Sequence, residues 1–444
     1  MTTAAISRPL FLDMDRTQWT VLLAAWLGWG FDCFDAVLFN FVAPNCIPTL
    51  LGLELGSDAA KSATMFWTGA FTSLLLVGWA IGGIVFGRLA DRLGRTRTLL
   101  LTMAIYSLGT AACALAPNLW VLGLFRFIAS LGIGGEWAAG ASMVAEVVPE
   151  KRRIEAGALL YTAAPLGLAL ATFTDRWVAE SPLAADPTTS WRWVFLCGLA
   201  PTIVALAVRV FVKEPERWAK IASAGGVAPS IAELFSPRWR ARTLGGLGLA
   251  VVALLTWWSC NAFIPVLAKG LAAEHAKATG LAAAELPALK IDWTLRASNG
   301  FNLGGLVGTL LTVPVAKHLG RRPMFGIYLS LSAIAFLAAF GLDLSPEART
   351  WVFFPVGVAI FGVFGSFTYY LPELFPTRLR AYGAGFCYNA GRVVAAVGPF
   401  AIGAVAAGGT DAMLRALFYV GFLPLAGVLL VPFVAETRGE VLED

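Results

Sequence analysis

The chain has 444 residues, of which 58% are hydrophobic and 14% charged, and its 33 Lys and Arg against 28 Asp and Glu give a net charge of +5. A soluble domain carries about 25% charged residues, so this composition excludes an ordinary water-exposed fold and predicts an integral membrane protein. Its six cysteines and two histidines show no metal-ligand spacing, and no nucleophile or cofactor constellation appears; an enzyme, a cofactor and a metal are therefore not expected.

A membrane-spanning helix needs about 20 mostly apolar residues. Twelve such runs follow one another: 19–44, 66–87, 98–116, 119–148, 154–173 and 191–212, then 243–267, 293–316, 324–342, 351–371, 381–407 and 413–434. The first is full length and lacks a small-residue cleavage pattern, so a cleavable signal peptide is not expected. A polar stretch rich in Pro and Gly, 214–241, divides the chain into units 1–213 and 242–444 and is expected to carry a short surface helix near Ile231 to Phe235. The Ala-rich connection 268–291 reads as a helical extension of its neighbours.

With both termini on the cytoplasmic side, most Lys and Arg fall inside, as the positive-inside rule requires. Trp19, Trp67, Trp120, Trp191, Trp293 and Trp351 fall near span ends, as an interfacial belt. The basic excess thus needs no nucleic acid, and the expected partners are the lipid bilayer of the plasma (inner) membrane, a small-molecule substrate and a proton, with the protein acting as a monomer.

The charge punctuation repeats about 226 residues apart. Glu146 and Arg153, flanking Pro149, recur as Glu373 and Arg380 around Pro376. The turn Gly94-Arg95 recurs as Gly320-Arg321, and the Glu214-Pro215-Glu216-Arg217 exit recurs loosely at Glu436-Thr437-Arg438-Gly439. Repeated six-span halves predict a substrate site at their interface and alternating access by rocking: a secondary transporter.

Charges inside the spans mark the site, because each costs about 2.5–3.5 kcal/mol at helix centre even on insertion scales. Asp32 and Asp35 share a face of the first span, and Arg126 in the fourth lies at a similar depth, which makes Asp35 and Arg126 a candidate pair for proton coupling. Glu136 lies near mid-bilayer and reads either as a second protonation site or as a structural partner. In the eleventh span Arg392 sits about 16 Å from its start, counted at 1.5 Å per residue, with Tyr388 and Asn389 on the same face. An arginine there offers a fork for a carboxylate; a structural role toward backbone carbonyls is the alternative. Asn299 and Asn302 share a face in the eighth span, and Asn261, Trp257 and Tyr369 are further candidates for the substrate pocket.

The stretch Gly87-Arg88-Leu89-Ala90-Asp91-Arg92-Leu93-Gly94-Arg95 resembles the loop between the second and third helices of the major facilitator superfamily, and the likeness extends over nearly the whole chain. It implies an all-α fold of twelve transmembrane helices in two pseudo-symmetric six-helix bundles. Thr96 stands where that family commonly has a second basic residue, and Lys317-His318-Leu319-Gly320-Arg321-Arg322 lacks the acid. The Glu146/Arg153 and Glu373/Arg380 pairs resemble the cytoplasmic salt-bridge gate of sugar porters; the likeness implies a gate built from Gly87, Asp91, Arg92, Gly94, Arg95 and these four residues. Phe31-Asp32-Cys33-Phe34-Asp35 is similar to the paired-Asp signature of aromatic-acid and sialate or lactate proton symporters, with Cys33 where those families usually have Gly. The resemblance implies that Asp35 takes up the proton with Arg126 as its partner.

Gln18 is the only glutamine, whereas sugar porters recognise hexoses with several. Arginines in the spans suit an anion. The expected function is proton-coupled symport of an organic acid, with monocarboxylate, aromatic acid and acidic sugar open. A sugar or polyol symporter is the alternative; the Ala164-Pro165-Leu166-Gly167 run matches drug antiporters only in part, and a non-transporting sensor is disfavoured by the short tails.

Overall fold

The computed structural model describes residues 14–93, 95–149, 152–201, 203 and 230–439. Gly94 lies outside the described residues, as do the side chains of Asp91, Arg92, Arg95, Glu136, Glu146 and Arg153, whose backbone alone is placed.

The fold is all-α, and over the described residues the expected apolar runs fall on helix; residues 202 and 204–212 of the sixth run lie outside the described residues. The first half comprises α1 (Arg16–Leu51), α2 (Asp58–Leu93), α3 (Arg95–Ala112), α4 (Leu119–Val147), α5 (Arg153–Tyr161 continued by Ala163–Ala179) and α6, described over Pro187–Leu196 and a following short turn. The second half comprises α7 (Arg240–Asn261 continued by Ile264–Thr279), α8 (Leu286–His318), α9 (Arg321–Gly341), α10 (Phe353–Glu373, preceded by Pro346–Trp351), α11 (Thr377–Ala395 continued by Val397–Ala406) and α12 (Thr410–Val420 continued by Leu423–Leu430). Among the described residues nine helices are long and apolar enough to cross a membrane. The fourth, sixth and eighth runs are not among these nine; α8 carries Asn299 and Asn302 within its apolar stretch and Lys290, Asp292 and Arg296 before it. A one-turn helix, Ile231–Leu234, capped by the Ser230 hydroxyl, lies just before α7.

Local chemistry sets the helix limits. Asp15 caps α1 through a reciprocal capping box with Gln18, and Gly52 ends it at φ 68°, the left-handed geometry that suits glycine. Gln18 also donates to the Val147 carbonyl at 2.9 Å, tying α1 to the end of α4. Pro44 and Pro48 lie inside α1, and each removes a backbone donor from its ladder.

In lipid no hydrophobic force pulls helices together, so close backbone approach at small residues must do it. Gly134 of α4 lies directly against the Trp79 carbonyl of α2, while in the second half Gly304 and Gly308 of α8 lie against Phe354 and Val358 of α10. The glycines of the Gly134-Gly135-Glu136 run therefore serve a packing seam. The α2–α4 and α8–α10 seams are counterparts in the two halves, the structural expression of the sequence repeat. Between halves, α2 packs on α11 and α5 packs on α8 and α10.

Candidate functional site

Arg392 is the centre of a cluster at the meeting of the halves. It is 2% exposed, and its guanidinium is sandwiched between the Trp79 ring of α2 and the Tyr388 ring, 4.2 and 4.5 Å from their centres. One Nη1–H is donated to Asn389 Oδ1 at 2.8 Å, and Asn389 in turn rests against Gly83 of α2. Tyr161 of α5 meets Tyr388 through the hydroxyls, and Asp32 of α1 is near enough to interact with Arg392 as a charge. The helical spacing of Tyr388, Asn389 and Arg392 placed all three on one face. Trp79 and Tyr161, which complete the cage, carry no charge or motif that would mark them in sequence.

Asp35 and Arg126 are neighbours, 0% and 1% exposed, but the arginine grips backbone. Its Nη2 donates to the Ala36 carbonyl at 3.0 Å and its Nη1 to the Asp35 carbonyl at 3.4 Å, with the Phe39 ring 5.2 Å from the guanidinium carbon. The Asp35 carboxylate packs against Gly198 of the α6 region, with Thr110 of α3 as a near polar neighbour. Asp32 and Asp35 thus face different surroundings: one looks toward the other half, the other into its own bundle.

A cavity of about 10 Å³ lies between α1, α5, α7 and α8, lined by Asn40, Phe41, Asn261, Pro265, Ser298 and Asn302 among others. That is room for about one water, so this conformation is closed around it. Asn261 and Asn302 were expected here; Asn40 and Ser298 were not. Asn40 was detectable as a polar residue following Asp32 and Asp35 in the C-terminal part of α1. Asn299, three residues before Asn302, is half-buried and lies outside this lining, and Trp257 packs on Trp258, Phe301, Phe361 and Phe364.

At the end where α5 and α9 start, a polar network surrounds Glu373. Arg321 holds it with two bonds, 2.7 and 3.1 Å, and the Thr437 hydroxyl adds a third at 2.5 Å. Tyr369 belongs here: its hydroxyl bonds Thr312 at 3.0 Å and its ring lies 5.7 Å from the Arg321 guanidinium carbon. Glu436 accepts from the backbone N–H groups of Arg321, Arg322 and Arg438 at 2.9, 2.9 and 3.0 Å. Burial opposes its charge, yet these donors and the Arg321 charge outweigh burial and hold the carboxyl below the ordinary range. Arg380 is half-buried on α11. At this end a bond joins the halves: Lys317 Nζ of α8 to Glu155 Oε1 of α5, 2.5 Å.

Comparison with known proteins agrees with this architecture. The Major Facilitator Superfamily family model matches residues 25–289, and the Sugar (and other) transporter model matches residues 288–444. The chain is 29% identical to a probable 4-methylmuconolactone transporter of Cupriavidus pinatubonensis over 97% of its length and 92% of that protein. It is 26% identical to a gentisate transporter of Corynebacterium glutamicum over 94% of its length and 91% of that protein. Among solved structures, a D-xylose–proton symporter superposes with a TM-score of 0.71 at 19% identity, covering 96% of this chain and all of that one. Helix order, duplicated packing seams and these matches together establish that the chain belongs to the Major Facilitator Superfamily of membrane transporters.

Proposed function

We propose that the protein is a proton-coupled symporter of an organic anion, working by alternating access between units 1–213 and 242–444 in a bacterial inner membrane with both termini cytoplasmic. The observation that carries this reading is Arg392, a buried guanidinium at the half-interface, held between two aromatic faces with one Asn partner. A guanidinium fixed in this way presents its remaining donors to a carboxylate in one orientation. The relatives named for 4-methylmuconolactone and gentisate handle small organic acids or their lactones, which supports an acid here.

In this cycle Asp35 takes a proton from outside, and Asp32, beside Arg392, tunes the charge that the incoming anion meets. Tyr388 and Asn389 fix the guanidinium. Asn261 and Asn302, with Asn299 and Trp257 near them, frame the space that opens around the substrate, while Tyr369 joins the network around Arg321 at the other end. Glu136 is a second candidate for the proton. Glu146, Arg153, Glu373 and Arg380, with Gly87, Asp91, Arg92, Gly94 and Arg95, close the cytoplasmic side.

A sugar symporter is the competing reading, favoured by the polar cavity of Asn40, Asn261, Ser298 and Asn302. Against it, Gln18 is spent on capping α1 and tying it to α4. The test is uptake into proteoliposomes under an acid-outside gradient, with labelled gentisate, lactate, sialic acid and glucose side by side. Gradient-driven uptake of an acid supports the proposal; uptake of glucose alone replaces it with the sugar reading.

A further inference from the structure

Two lysines of the second half reach across into the first at opposite ends of the molecule. Lys269, in the second segment of α7, donates from Nζ to the Phe41 carbonyl of α1 at 2.8 Å. Phe41 lines the small cavity and so does Pro265, one turn before Lys269, so this bond roofs the cavity. Pro44, three residues on, lies inside the same stretch of α1 and lacks the N–H that would bond the neighbouring Asn40 carbonyl. Asp175 of α5 supplies a counter-charge to Lys269 from the same half as Phe41. At the other end, Lys317 closes the last turn of α8 onto Glu155 at the start of α5, where Arg152 also contacts the carboxylate at 3.4 Å. The Arg321–Glu373–Thr437 network nearby joins residues of the second half only.

A bond that joins the halves at one end has to break when that end opens. We propose that Lys269 and Lys317 are the two latches of the cycle. Release of Lys269 from Phe41 opens the cavity at one end while Lys317–Glu155 holds the other shut, and the order then reverses. The proposal rests on membership in the transporter family and on no choice of substrate.

The test measures conformation. In nanodiscs, with Cys197→Ala as background, spin labels at Ala59→Cys and Ala282→Cys report the Phe41 end, and labels at Thr17→Cys and Arg240→Cys report the Glu155 end. Lys269→Met is expected to raise the ratio of long to short Ala59–Ala282 distances about tenfold and leave Thr17–Arg240 short. Lys317→Ala and Glu155→Ala are expected to do the converse. Lys269→Arg, and the exchange of Glu155→Lys with Lys317→Glu, are expected to restore the parent distributions. Unchanged distributions in the single variants would overturn the proposal, as would lengthening at both ends together or failure of the exchange to restore.

Discussion

Arg392 shows how much of a site depends on what surrounds one side chain. Its stacking on Trp79 and Tyr388 uses the flat, delocalised face of a guanidinium, which an ammonium lacks. Arg392→Lys is therefore expected to lower kcat/KM for the transported acid by roughly tenfold to a hundredfold, with a normal elution profile in detergent; full activity would remove the arginine from substrate contact. Asp35→Asn is expected to abolish gradient-driven accumulation while preserving counterflow exchange, because the neutral amide mimics the protonated carboxyl that rocks but releases no proton. Driven uptake at the parent rate would sink that role. Glu436 offers a pH test outside the spans. Its folded carboxyl titrates below the ordinary value, so its contribution to stability is complete above about pH 4.3 and is lost as pH falls through the depressed value. The Tm difference between the parent and Glu436→Gln should thus be present at pH 7 and shrink in stronger acid; a gap that widens on acidification would contradict it.

Among the elements, glycine contacts within a half and between halves call for different readouts. Gly167 of α5 lies directly against the Gly30 carbonyl of α1, so Gly167→Ala overpacks a permanent seam. A loss of about 1–3 kcal/mol is expected, read as a lower Tm in detergent. Gly69 of α2 lies against the Pro399 carbonyl of α11, with Gly403 Cα only 3.0 Å from where a Cβ would stand, and this contact separates when the halves rock. Gly69→Ala is expected to spare Tm and slow turnover about tenfold, since the methyl opposes closure at that end only. Equal loss of Tm in both variants would show that the distinction between the seams is wrong. Helix positions were legible beforehand because an apolar run of spanning length has one stable form in lipid. The role of Gly134 and Gly135 was not: a glycine in sequence does not say which carbonyl it will meet.

At the scale of the whole molecule the topology is open to direct labelling. The proposed orientation, with both ends of the chain cytoplasmic, predicts that an impermeant maleimide modifies Ala282→Cys on intact cells and reaches Thr17→Cys only after permeabilisation; the opposite pattern would invert it. Composition, the twelve apolar runs and the 226-residue repeat determined that this is a two-part membrane transporter, since hydropathy and internal symmetry are properties of the linear chain. Charges within the spans likewise pointed to Asp32, Asp35, Arg126 and Arg392, because lipid makes an idle charge expensive. The partners of those charges were decided only by the tertiary structure. Arg126 turns to the carbonyls of Asp35 and Ala36, Glu373 is held by Arg321 from a helix 52 residues away, and Lys317 crosses to Glu155 over 162 residues of sequence. Each choice depends on the rotation and depth of helices packed through small residues, and those are set by contacts between segments that the order of residues along the chain does not place together.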